Sequence, residues 1–118
     1  MSEFEETLRR LAVRDDAYVD SLLADERIST AASQLDEKTR ALVQVAALVA
    51  VDATPPCYMD AIESARRGGA SSEEIAGCLV AVLPAVGVAR VVSAAPKIAL
   101  ALGYDVDAAL ERHATNAP

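Results

Sequence analysis

The chain is poor in several residue types at once: two Cys, one His, no Trp, one Phe, three Tyr and five Gly among 118 residues. Two cysteines are too few for the paired cysteines of a small disulfide scaffold, and in a reducing compartment both are expected to be free thiols. Basic residues are also scarce, 11 Lys and Arg against 18 Asp and Glu, for a net charge of −7. Ten acids face six bases in residues 1–40 and eight face five in residues 41–118, so no basic half exists. Binding to nucleic-acid phosphates is therefore not expected. No uncharged run is long enough to span a membrane. The longest, Ile75–Ala89, has 15 residues interrupted by Gly77, Pro84 and Gly87, against the roughly 18 a spanning helix needs. It is expected to be a buried helix pair, with no membrane partner. The opening Met1-Ser2-Glu3-Phe4-Glu5-Glu6 is acidic where a secretory leader is basic, so a cytoplasmic location is expected.

What is abundant is aliphatic: 53% of the residues are hydrophobic, which excludes a disordered chain. With so few aromatics the core must be built from Ala, Val, Leu and Ile, small side chains that let helices approach closely. Between Ser2 and Leu23, Phe4, Leu8, Leu11, Tyr18, Val19, Leu22 and Leu23 fall at helical spacing. The pattern predicts one amphipathic helix opened by a Ser2/Glu5 capping box. Asp25–Gln34 has no sustained period and is expected to be a connection. A second helix should start near Asp36 and run to Val51, its second half apolar all round and so buried on every side. Thr54-Pro55-Pro56 breaks it and starts a third helix over Pro55–Arg67, with Thr54 as N-cap and Gly68-Gly69 as the stop. A Ser71/Glu74 capping box opens a fourth helix to about Leu83, which Pro84 and Gly87 end or kink. A fifth from Val88 to Leu102 should bend at Pro96 and stop at Gly103. A short helix from Asp105 or Val106 to His113 precedes a tail expected to fray.

The fold class is therefore all-α, five to six helices. One domain is expected overall: an N-terminal helix and connection over 1–34, a helical core over 35–103, and a short helix and tail over 104–118. The second, fourth and fifth helices are apolar around most of their circumference. A chain of this length has too little interior to enclose all three, so a homo-oligomer is expected.

The order of these elements resembles the carboxymuconolactone decarboxylase and alkylhydroperoxidase D-like superfamily. The residues that carry the likeness are Leu35-Asp36-Glu37-Lys38-Thr39-Arg40 opening an aliphatic helix, the break Thr54-Pro55-Pro56-Cys57, and Gly68-Gly69-Ala70-Ser71-Ser72-Glu73-Glu74-Ile75 leading into an Ala-rich helix. The resemblance implies an all-helical trimer or hexamer. In the peroxidase branch it also implies a Cys-x-x-Cys pair, a His four residues later and an upstream Glu. Counted back from Gly69, the second Cys falls on Cys57, the first on Thr54, the His on Ala61 and the Glu near Leu42. The decarboxylase branch relies on a His at the position of Ala61. The active-site pattern is thus degenerate in both branches.

Cys57 is the candidate catalytic residue, because a helix first turn favours a thiolate. Asp60, three residues on, opposes that effect, and a retained, unreactive thiol is the alternative. Cys78 lies on an apolar helix as a small hydrophobe; as a resolving partner for Cys57 it would need a Cα separation within about 7 Å. Arg90 and Lys97, seven residues apart on one helical face, either hold an anionic ligand such as a carboxylate or form ion pairs with Asp52, Asp60 or Glu63. Asp60 and Arg90 are the candidate ligand-binding residues. Arg66 and Arg67 complement the helix dipole, Tyr58, Met59 and Tyr104 are expected to pack, and His113 is expected to be solvated. No cofactor and no metal are expected. The resemblance implies, if the chain is an enzyme, thiol-dependent peroxide reduction through Cys57. The alternative is an inactive scaffold that binds a small organic acid or serves assembly, with lactone decarboxylation a third reading.

Overall fold

A computed structural model describes residues 1–116, in which eight helices and no strand occur. The all-α expectation holds. The chain divides into two compact units, Met1–Asp36 and Glu37–Pro118.

In the first unit the expected single helix is two. Helix α1 (Glu3–Ala12) opens with the Ser2/Glu5 capping box, in which the Glu5 N–H donates to Ser2 Oγ over 3.4 Å and the Ser2 N–H donates to Glu5 Oε1 over 3.1 Å. It stops because Arg14 turns left-handed, at φ 53°. Helix α2 (Asp16–Ala24) then restarts on Asp15, whose carboxylate accepts from the Tyr18 N–H at 3.2 Å. The expected connection is also helical. Helix α3 (Glu26–Ser33) starts on Asp25, which accepts from the Arg27 N–H at 2.9 Å, and ends at Gln34 in the left-handed region, φ 61°. α2 packs against α3. No residue of this unit is buried.

The second unit has a core. Helix α4 (Glu37–Ala50) packs on α5 (Pro55–Arg67), α6 (Ser72–Val86) and α7 (Val88–Ala101); α5 and α6 each pack on α7. Helix α8 (Val106–Asn116) packs on α7 and extends past the expected end at His113, while the last two residues of the tail expected to fray lie outside the described residues. Ala41, Val45 and Val49 recur every four residues along one face of α4 and meet Tyr58, Ile62 and Ala65 of α5, Ile75 of α6, and Ala94 and Ile98 of α7. α4 is not buried on every side: Val43 is 54% exposed, and Val51 just beyond the helix 69%. A four-helix core of small side chains is too thin to cover both faces of each helix.

Helix α5 has the expected bounds, Pro55–Arg67. Gly68, its C-cap, lies against the start of α4, where an added Cβ would come within 3.2 Å of the Lys38 backbone. A side chain here would make the two helix ends part by a few tenths of an ångström. The Ser71/Glu74 capping box forms, and Glu74 also pairs with Lys38 at 2.9 Å. These bonds, the Ser71 backbone first and Lys38 second, hold the Glu74 carboxyl below its ordinary value. α6 runs through Pro84 to Val86 rather than stopping near Leu83, and the chain then turns at Gly87, φ 87°. A proline so near a helix C-terminus costs one backbone hydrogen bond, and the helix closes within a turn.

Candidate active site

Cys57 is the third residue of α5 and is exposed. Its N–H bonds back to the Thr54 carbonyl at 3.1 Å. Thr54 is the N-cap by backbone position, but its side chain makes no capping bond. The hydroxyl instead lies 3.6 Å from Cys57 Sγ. The residue in the place of the family's first Cys thus touches the thiol as a hydroxyl.

Cys57, Asp60, Ala61 and Ser64 form one stripe of α5 and face Gln44, Ala47 and Leu48 of α4 across an open cleft of about 430 Å³. Cys57 and Asp60 therefore share a site. Ala61, in the place of the motif His, lines the same cleft without a titratable group. The cleft's other polar groups, Gln44 and Ser64, were not singled out from the sequence. For Gln44 a signal existed, since it is the sole polar residue of the run Ala41–Val51.

Arg90 is not among the residues lining that cleft. It pairs with Asp52 at 3.4 Å, as does Lys97. Asp52 Oδ1 also accepts from Ser93 Oγ at 2.7 Å, and the Lys97 ammonium donates to the Ala53 carbonyl at 3.2 Å and to Ser93 Oγ at 3.4 Å. Of the two roles weighed for Arg90 and Lys97, ion pairing to Asp52 is the geometry found, and Ser93 is a member of that cluster with no prior signal. The Ser93 hydrogen bond, followed by the Lys97 charge, holds the Asp52 carboxyl below its ordinary value. Glu63 pairs instead with Arg67 of its own helix, at 3.9 Å.

The two thiols are not brought together. Cys78 Sγ donates to the Leu42 carbonyl of α4 at 3.8 Å and to the Glu74 carbonyl at 3.6 Å, whereas Cys57 lies at the level of Ala47 and Leu48. Six residues of α4 separate Leu42 from Leu48, about 9 Å along the helix axis. Burial, and then the Glu74 charge, push the Cys78 thiol above its ordinary value, so it is the less reactive form at neutral pH.

Among the expected packing residues, Tyr58 is fully buried, but Met59 and Tyr104 are 61% and 56% exposed. Among the described residues the Tyr58 hydroxyl has no hydrogen-bond partner, and burial raises its pKa, with Asp52 and Cys57 adding to the effect. His113 is exposed on α8. Arg66, in the last turn of α5, reaches the Leu102 carbonyl at 3.4 Å. Among the described residues no group of three or more His, Cys, Asp or Glu could hold a metal ion, and no helix is long and apolar enough to cross a membrane.

No curated protein and no solved structure matches the chain. The family model of the carboxymuconolactone decarboxylase family matches residues 17–100. That span starts in α2, upstream of the Leu35 where the sequence likeness begins, and takes in both the Cys57 cleft and the Asp52 cluster. With an all-helical fold and most of its length matched, the chain belongs to the carboxymuconolactone decarboxylase family.

Proposed function

We propose that the protein is a thiol-dependent peroxidase of the single-cysteine kind, with Cys57 as its nucleophile. The observation that supports this reading is the exposed Cys57 sulfur in the first turn of α5, at a cleft of about 430 Å³, with the Thr54 hydroxyl 3.6 Å away. Pro55 and Pro56 bring no N–H to the first turn, and the Cys57 N–H is bonded to the Thr54 carbonyl. What favours negative charge on sulfur is therefore the dipole of α5 and the Thr54 O–H as a donor. The Cys57 thiolate attacks one peroxide oxygen, the O–O bond breaks, and the leaving alkoxide takes a proton to become an alcohol. The Cys57 sulfenic acid that results then reacts with an external thiol, releasing water and forming a mixed disulfide. A second external thiol releases the Cys57 thiolate and leaves with the first as a disulfide. The reductant must be external because Cys78 lies at another level of α4.

The small-acid reading draws less support, since the cleft presents Asp60 and its proposed cation, Arg90, is engaged by Asp52. Lactone decarboxylation draws less still, because Ala61 carries no proton. The test is the rate at which the Cys78→Ser variant reacts with hydrogen peroxide between pH 5 and 9. Reaction much faster than that of free cysteine, lost in Cys57→Ser, is expected. A reaction no faster than that of free cysteine overturns the proposal and leaves the scaffold reading in front.

A further inference from the structure

Asp60 stands one turn beyond Cys57 on α5, and side chains three residues apart on a helix have Cβ atoms about 5–6 Å apart. Among the described residues that line the Cys57 cleft, Asp60 alone carries a charged group beside the thiol; the others are Gln44, Ala47, Leu48, Ala61 and Ser64. Asp60 is exposed, and no ion pair engages it among the described residues. The cations of the flanking segments have other partners. Arg90 and Lys97 each lie 3.4 Å from Asp52. Arg67 donates to Ser64 Oγ at 3.3 Å, at the far end of the stripe, but pairs with Glu63 at 3.9 Å. Ser64 is seven residues from Cys57, about 10 Å along the helix axis. The cleft thus presents one uncompensated negative charge beside the sulfur.

We propose that Asp60 selects the external reductant by charge: a thiol with an ammonium close to its sulfur is favoured, and an anionic thiol is turned away. The inference rests on the peroxidase reading for the step it serves. In that step the S–OH bond of the Cys57 sulfenic acid breaks, the thiol sulfur bonds to Cys57, and the hydroxyl leaves as water with the thiol's proton. The incoming sulfur must meet the Cys57 sulfur, so a charge two carbons away from it passes the Asp60 carboxylate. Unit charges about 6 Å apart in a water-filled cleft change a local concentration about threefold, upward for unlike signs and downward for like. The preference for a cationic over an anionic thiol is then about tenfold. Because the Asp60 carboxylate is exposed, salt screens the effect.

The test uses symmetrical disulfides, which need no peroxide: cystamine is cationic, hydroxyethyl disulfide uncharged and dithiodipropionate anionic. The Cys57 thiolate of the Cys78→Ser variant attacks each one, forming a mixed disulfide and releasing one thiolate. Each rate is divided by that of mercaptoethanol with the same disulfide, which removes the disulfides' own differences in reactivity. A cation-to-anion ratio of about tenfold is expected at low salt. It should shrink toward one in salt of about 1 M, where the screening length is about 3 Å. Asp60→Asn is expected to remove most of the ratio and Asp60→Lys to invert it, whereas Glu73→Gln, a charge removed outside the cleft, should leave it in place. A ratio near one overturns the proposal, as does a ratio that Asp60→Asn leaves unchanged or a Cys57 that reacts with none of the three. Selectivity in a protein whose Cys57 ignores peroxide sinks the peroxidase reading and leaves Asp60 choosing the thiol partner. Peroxide reduction without selectivity sinks this inference alone.

Discussion

The two units of this chain are both helical, yet different physics makes them so. In Met1–Asp36 no side chain is buried, and each helix is defined by its own ends: the Ser2/Glu5 box, the Asp15 and Asp25 caps, and the left-handed Arg14 and Gln34. Phe4 and Leu8 are 68% and 61% exposed. In Glu37–Pro118 the same kinds of caps operate, but Tyr58, Ile62, Ile75 and Ile98 are removed from water together. Caps decide where a helix starts, and burial decides how stable it is.

The largest expected effect tests that division directly. Ile62→Ala, at a position 1% exposed, removes methyl groups from the centre of the core and should cost about 2–5 kcal/mol. Leu8→Ala, on the exposed face of α1, should stay within about 0.5 kcal/mol. Urea midpoints of the two variants check the contrast, and a large cost for Leu8→Ala would mean that its face is covered in solution. Amide exchange should agree, with α4 and α5 opening only in global unfolding and α1–α3 in local steps.

A smaller effect separates two capping boxes of the same design. Ser71→Ala removes the acceptor for the Glu74 N–H and should lower the stability of the core by about 1 kcal/mol. Ser2→Ala removes the matching bond in α1 and should leave the core's midpoint unchanged, reducing only the helical signal. Equal shifts in the two variants would show that both units melt together.

These differences also explain what the sequence made legible. Helix α5 was readable to the residue because Thr54, Pro55 and Gly68-Gly69 mark its ends by backbone chemistry alone. The break between α1 and α2 was hidden because Leu11 and Tyr18 stay in phase across it, and a left-handed Arg14 carries no Gly, Asn or Pro to announce it. α3 was missed because Ser29, Thr30 and Ser33 resemble a loop, while each of the last two hydroxyls donates to a carbonyl one turn back. At the site, Cys57 and Asp60 were legible from their spacing on one helix. Asp52 was named as an ion-pair partner, but Ser93 was not, because the two stand 41 positions apart in sequence and meet only through the packing of the helices on α7.

The smallest effect contrasts two carboxylates. Asp52 is held below its ordinary value by Ser93 first and Lys97 second, both on α7, so its shift exists only while the core is folded. Glu6 is held at about 2 by Arg9 and then Arg10, one turn away on its own helix. A depressed folded pKa adds stability that is fully present above the unfolded value, about 3.9 for Asp, and is lost as pH falls through the folded one. Asp52→Asn should therefore flatten the fall of the core's urea midpoint below about pH 4. Glu6→Gln should leave that fall unchanged, because its bonds to Arg9 and Arg10 form wherever α1 is helical. If Glu6→Gln flattens it as much as Asp52→Asn does, the first unit contributes to the stability of the second, and caps and core are not separable in this chain.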